Sequence, residues 1–456
     1  MPPFRAVAWT IVVGIVIGAM ATLSPLTILI VALAIAIVLC ARRGLPADEQ
    51  AWVTGLLVAA LAARALVIVA LNVASLRSQN DQWTAMLFGD EAYALARAAR
   101  TRDVLIGLPV TRLDYIVMFD SYARTGYTTF LNWIQVTFGA SPYAVRLMNG
   151  AIFTAGAVLL YRAVRVGFGA VASLVALATL LFLPSLFLFS ISVLKESAYF
   201  LLGAAMLAAV AGAVRAPAWR LAWGLLFAVC VWAVADLRPG AVVLTGGALV
   251  AGAIACWLLG ARWRFVVAAA TLAIVGVVLV RSTAAVERVR GALVMTAKQH
   301  TGHAFTVGHA YKTLDDSFYE DVRTPAASTL TLTAGQAARY IARSAYAFIT
   351  LPFPWQVETR SEAVFIPEQL VWYLVVVGAL AGVWPAWRRD PFVTALLIAA
   401  VLPTAAVVAL TTGNVGTLVR LRGLVIPFLV WLAALGGIVA IERIALHVRR
   451  VPVVQR

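Results

Sequence analysis

Two adjacent carboxylates, Asp90 and Glu91, open an alanine-rich stretch that continues Ala92-Tyr93-Ala94-Leu95-Ala96-Arg97. A carboxylate can take the proton from an attacking hydroxyl or amine. A second one beside it can orient the attacking group or help hold a metal ion. Tyr93 follows Asp90 by nearly one helical turn, so it can pack or hydrogen-bond nearby. A plain helix start accounts for the same residues: Asp90 as N-cap, Glu91 against the positive end of the dipole, Arg97 and Arg100 doing the reverse further along. A second stretch, Thr412-Gly413-Asn414-Val415-Gly416-Thr417, leads into Arg420 and Arg422. Backbone N–H groups at a helix start and guanidinium forks together suit a phosphate. Snorkelling of both arginines to lipid headgroups explains the pattern equally well. Lys195, one of three lysines, and Arg238 are further candidate cations, and Glu196 is a further candidate carboxylate. His300, His303 and His309 lie near Asp315, Asp316, Glu320 and Asp321, but their spacing fits no established metal motif, so a solvated polar loop is the favoured reading.

The elements that must position these groups are membrane spans. The 456-residue chain is 63% hydrophobic and 12% charged, a balance that no soluble globule's surface can carry. Apolar runs of about 20 residues, each long enough to cross a bilayer, recur along nearly the whole length. The fold expected is an all-α polytopic membrane protein of about twelve spans, with two large outer segments carrying juxtamembrane helices. The formal charge of +16 is mostly arginine in short loops, where it sets orientation and is no nucleic-acid footprint. Cys40, Cys230 and Cys256 read as small buried hydrophobes.

Residues 6–41 are too long for one span, and Ser24-Pro25 breaks them into a helical hairpin. With a third span at 51–71, residues 1–71 form an N-terminal set. Arg42 and Arg43, then Arg162 and Arg165, Arg215 and Arg220, and Arg262 and Arg264, mark alternate loops as cytoplasmic. Residues 72–142 form the first outer segment, with the carboxylate pair and the aromatics Trp83, Tyr115, Tyr122, Tyr127 and Trp133. Residues 143–281 form a core bundle whose outer turns hold Lys195-Glu196 and Arg238. Residues 282–365 form a second outer segment or cap, in which 336–352 reads as a re-entrant or interfacial helix. Trp355 and Phe353 at its end belong to an interfacial aromatic belt. Residues 366–456 hold the C-terminal spans. Both termini are expected in the cytoplasm of a bacterium, with the chain in the inner membrane and the site on the outer face.

Between residue 88 and about 215 the order of features resembles the polytopic glycosyltransferases of the GT-C superfamily. The similarity is greatest to the branch of protein O-mannosyltransferases and aminoarabinose transferases. The motifs are Asp90-Glu91-Ala92-Tyr93 to Arg97, a juxtamembrane element from Tyr127 to Trp133, Phe-Gly-Ala-Ser-Pro-Tyr-Ala-Val-Arg-Leu at 138–147, and Leu-Leu-Tyr-Arg-Ala-Val-Arg at 159–165. Two departures stand out. Ala123-Arg124-Thr125-Gly126-Tyr127 replaces a Lys-Pro-Pro-type motif, and Lys195-Glu196 follows Leu194 where the family places Asp.

The resemblance implies transfer of a sugar from a polyprenyl-phosphate donor to a glycan, lipid or protein acceptor on the outer face. Asp90 would be the base of a single inverting displacement, and Glu91 would orient the acceptor or share a divalent metal. Glu196 would serve as the second acid, while Lys195, Arg238, Arg420 and Arg422 would face the lipid phosphate. Membrane lipids are the other expected partners. Two further functions fit the composition: an envelope polysaccharide polymerase or ligase, and a lipid-linked-sugar transporter or flippase. Transporters place ionisable groups at the midplane on broken helices in inverted repeats. Here the charges gather at span ends and no repeat is visible, which counts against transport.

Overall fold

The computed structural model of the chain describes residues 24–77, 87, 89–119, 125–238, 240–306, 308–321, 330–356 and 366–450, with isolated positions 14 and 18 before them. The expected first span and the residues Phe88, Trp83 and Tyr122 lie outside the described residues. The described chain is all helix, with no strand beyond an isolated bridge between Ala310 and Asn414. Among the described residues ten helices are long and apolar enough to cross a membrane, and one bent pair would make an eleventh. The protein is a multi-pass membrane protein.

Two compact units divide the chain: residues 1–163 with 177–242, and residues 164–176 with 243–456. The first unit opens with α1 (Pro25–Arg42), where Ser24 is the N-cap and Pro25 takes a position that needs no N–H. The long span α2 (Ala47–Arg77) follows. Three helices then lie between spans: α3 (Gly89–Leu105), α4 (Arg112–Phe119) and α5 (Gly126–Phe138). Gly139, at φ 79°, ends α5 with a backbone that favours glycine. The span α6 (Pro142–Phe168) begins three residues later.

Within the 143–281 bundle, residues 170–190 form a broken span. It consists of α7 (Ala170–Phe182) and α8 (Pro184–Ser190), bent by 61° at Leu183, because Pro184 cannot continue the hydrogen-bond ladder. A buried turn, Ser192 to Leu194, leads to α9 (Glu196–Arg215), which pairs with α10 (Arg220–Leu237).

In the second unit, α11 (Ala248–Leu259) and α12 (Arg262–Arg281) are spans, and α13 (Thr283–Ala304) leaves the apolar region. A short α14 (Ser317–Asp321) and an amphipathic α15 (Ala334–Thr350) complete a cap, with Ala297, Leu314, Tyr319, Leu332 and Tyr340 as its core. At 17 residues and with Arg339 and Arg343 exposed, α15 is not among the candidate spans. Spans α16 (Ile366–Arg389), α17 (Pro391–Thr411) and α19 (Ile426–Arg450) close the chain, with α18 (Val415–Arg422) between the last two. Glycine lets α16 and α19 touch backbone to backbone: a Cβ on Gly436 would lie 2.0 Å from the Gly378 carbonyl oxygen.

Candidate functional site

Helical spacing separates the two carboxylates. Glu91, Leu95 and Ala98 fall on one stripe of α3 and all are fully or almost fully buried, while Asp90, a hundred degrees away, is exposed. Glu91 is therefore not the solvated dipole partner that a plain helix start would need. Its Oε2 accepts from Arg146 Nη2 at 2.8 Å, with both side chains out of water. Burial pushes the Glu91 carboxyl above the usual range. The Arg146 guanidinium, by charge and hydrogen bond, pulls it back, as do the backbone N–H groups of Val193 and Leu87. Glu91 Oε1 itself makes no hydrogen bond of good geometry among the described residues, so those two amides act from less favourable positions.

One turn beyond Arg146, Asn149 ties three elements together. Its Nδ2 lies 2.8 Å from the Tyr127 hydroxyl, 2.6 Å from Ser192 O and 3.1 Å from Leu194 O. The turn at 192–194 leaves those carbonyls outside any helix, and a buried carbonyl needs a donor. Burial pushes the Tyr127 phenol up, Asn149 pulls it down, and the charges of Glu196 and Glu91 push it up further. Both carboxylates thus lie within electrostatic reach of Tyr127. The half-buried Lys195 places Nζ 3.5 Å from Leu237 O, at the end of α10.

Next to Leu237 stands Asp236, which the sequence reading left without a role. It is exposed and has no hydrogen bond or ion pair among the described residues. It packs directly on the first residue of α5: a Cβ on Gly126 would fall 2.0 Å from Asp236 Oδ2. Arg238, half-buried, is the C-cap of α10. Tyr93 is turned toward Arg97, whose Nη1 donates to its hydroxyl at 3.2 Å. Hence Glu91, Glu196, Lys195 and Asp236 gather with Tyr127, Arg146 and Asn149 where α3, α5, α6, α9 and α10 meet. Asp90 lies at the exposed start of α3.

Arg420 and Arg422 belong to the second unit. Asn414 caps α18, accepting from the Gly416 and Thr417 amides at 3.0 and 3.3 Å. Arg420 is half-buried in its last turn. Arg422 is 2% exposed, and its donors go to neutral acceptors: Nε to Phe348 O at 2.9 Å, Nη1 to Gln369 Oε1 at 2.8 Å, and Nη2 to Phe348 O and Leu351 O. Its guanidinium also lies over the Trp372 ring at 4.9 Å. Burial pulls Arg422 down to about 9, so it keeps its charge at neutral pH. These bonds cap the C-terminal carbonyls of α15, which are orphaned by the helix end.

Of the three histidines only His309 lies exposed in a loop, as expected; His300 and His303 belong to α13. His300 is fully buried in α13. The Tyr319 hydroxyl accepts from the Thr313 and Leu314 amides at 2.9 and 3.2 Å, so its own proton points at His300 Nε2, 2.8 Å away. Nε2 is therefore the acceptor, and Nδ1 carries the proton to Thr412 O at 2.8 Å. His303 Nδ1 meets Thr411 O at 2.7 Å, the Tyr311 hydroxyl donates to Thr412 O at 2.6 Å, and the Tyr340 hydroxyl donates to Leu410 O. Four side chains of the cap thus satisfy the last carbonyls of α17. Among the described residues no three His, Cys, Asp or Glu side chains come close enough to hold a metal ion.

Fold and site together define a polytopic helical membrane protein with a buried ion pair and a set of carboxylates around the start of α6. No family model matches the chain, and no curated protein and no solved structure matches it. Arg146 and Asn149 carried a signal in the sequence, since two polar residues three apart in an apolar span are costly unless used. Asp236 carried none, because its position depends on how α10 meets α5.

Proposed function

We propose that the protein is a membrane glycosyltransferase that moves a sugar from a polyprenyl-phosphate donor to a glycan, lipid or protein acceptor on the extracytoplasmic face. The observation that carries this reading is the meeting of separate motifs. Glu91 from the carboxylate pair, Tyr127 from the juxtamembrane element and Arg146 from the 138–147 segment come together beside the turn that holds Lys195 and Glu196.

In this reading the buried Glu91–Arg146 pair fixes the start of α3 against α6, and Asp90, exposed one residue earlier, is the carboxylate that an acceptor can reach. Asp90 accepts the acceptor's proton as the acceptor oxygen or nitrogen bonds to the anomeric carbon. The bond to the lipid phosphate breaks with its electron pair on the phosphate, and the anomeric configuration inverts. A lipid phosphate is already a good leaving group, so cations suffice to stabilise it. Lys195 and Arg238, in the same unit as Asp90, are the candidates. Arg422 is committed to capping α15, which makes it a support for Arg420's helix. The test is to supply purified protein in vesicles with a panel of radiolabelled polyprenyl-phosphate sugars and an extract of envelope acceptors. Label moving from carrier to acceptor supports the reading, and label remaining on every carrier refutes it.

The break between α7 and α8, with a charged side chain buried beside it, is the observation that favours the transport alternative. The same vesicles separate the two, since a transporter moves the intact labelled lipid across the bilayer without cleaving it.

A further inference from the structure

Arg64 lies within the span α2 and is 1% exposed. Its Nε donates to Ser190 Oγ at 2.8 Å, Nη1 to Ala60 O at 3.1 Å and Nη2 to Leu181 O at 3.0 Å. Leu181 O is one of the carbonyls left over where Pro184 breaks the helix. The rings of Phe153 and Phe187 lie 5.4 and 4.9 Å from the guanidinium carbon. Every one of these partners is neutral, and among the described residues no acidic side chain pairs with Arg64. A cation inside a membrane span with no counter-charge is costly and marks a site.

A cavity of about 550 Å³ lies beside it, between α1 and α2, with Leu147 and Gly150 of α6 at its back. On α1 its wall runs from Thr27 to Leu39, which at ~1.5 Å per residue is roughly 18 Å, about three fifths of a ~30 Å hydrocarbon core. The cavity is little more than one leaflet deep. Val31, Ile35 and Leu39 along it are 43%, 55% and 58% exposed, so it opens sideways toward lipid. Its polarity is graded. α1 and α2 are antiparallel across the short turn at 43–46, which sets Arg64 level with Thr27, whose Oγ1 lies 3.1 Å from the Tyr143 hydroxyl. Toward Leu39 the lining is hydrocarbon only.

We propose that this groove holds one acyl chain of an anionic bilayer phospholipid, with the headgroup at the Thr27 end, where its charge offsets Arg64. The depth selects the occupant: a phospholipid chain ends within one leaflet, whereas a polyprenyl chain is far longer. The assignment is independent of the sugar-transfer reading.

The test uses the full-length protein released from nanodiscs of equal phosphatidylglycerol and phosphatidylethanolamine, with bound lipid counted by native mass spectrometry. One phosphatidylglycerol per chain is retained, favoured about tenfold over phosphatidylethanolamine, or ~1.4 kcal/mol. Ala34→Phe and Ile35→Trp fill the groove without touching Arg64, and each loses the lipid while melting like wild type. Equal retention of the two lipids by wild type overturns the proposal. So does retention that survives both substitutions, or displacement of the phosphatidylglycerol by an equimolar polyprenyl phosphate.

Discussion

Glu91 and Arg146 are tolerable out of water chiefly because they pair with each other. Removing either partner leaves an uncompensated buried charge, so Glu91→Leu or Arg146→Leu alone destabilises by about 3–5 kcal/mol, and the double substitution recovers most of that loss. Denaturant titration of the four proteins in one detergent measures it. His300 gives a second residue-scale prediction. Burial holds it down to about 4 from an ordinary value of 6.5, with the Thr412 carbonyl opposing and the His303 charge assisting. The unfolded chain therefore takes up the proton first. The stabilisation is complete above pH 6.5 and is lost as the pH falls toward 4, a span of roughly 3 kcal/mol. In His300→Asn the amide N–H can still reach Thr412 O, but the melting temperature no longer falls over that pH window. Asp90 was legible from sequence as a candidate, and so was Arg422. What sequence did not show is that Arg422 turns inward, because only the packed ends of α15 and α16 reveal which carbonyls lack donors.

At the scale of elements, contacts without side chains decide the geometry. A Cβ on Gly382 would lie 2.0 Å from the Leu432 carbonyl oxygen, so Gly382→Val forces α16 and α19 apart. The expected cost is at least about 3 kcal/mol, read as loss of the folded peak in size-exclusion chromatography with a lowered melting temperature. Gly126→Ala acts differently, since the clash is with the carboxylate of Asp236 and an exposed side chain can swing away. It displaces Asp236 at a stability cost within about 1 kcal/mol. If Asp236 takes part in the site, Gly126→Ala and Asp236→Asn reduce transfer to the same degree and the double substitution goes no further. Spans were readable from hydropathy because lipid demands about 20 apolar residues in a row. The 61° break at Leu183 has only Pro184 as its mark in the sequence, since the apolar run continues through it. Capping of α17 by four cap side chains had no local signature, as donors and acceptors are 70 to 112 residues apart.

For the whole molecule, fold class was legible from composition, because 63% hydrophobic residues leave no choice but a bilayer. The orientation expected from arginine placement is testable. Arg43→Cys is expected to react with a membrane-impermeant maleimide only after the membrane is opened, and Thr111→Cys to react in intact cells. The reverse pattern would put Asp90 on the cytoplasmic side and remove the basis for an external lipid donor. Activity is the part that composition and hydropathy could not supply, since it depends on a few side chains brought together from distant parts of the chain.

Asp90→Asn carries the decisive comparison. It keeps the shape of the side chain, leaves the Glu91–Arg146 pair intact and removes only the basic oxygen. With a labelled polyprenyl-phosphate sugar that wild type accepts, the variant is expected to fold and bind donor normally while transfer falls by about 100-fold or more. Transfer at the wild-type rate would contradict the account.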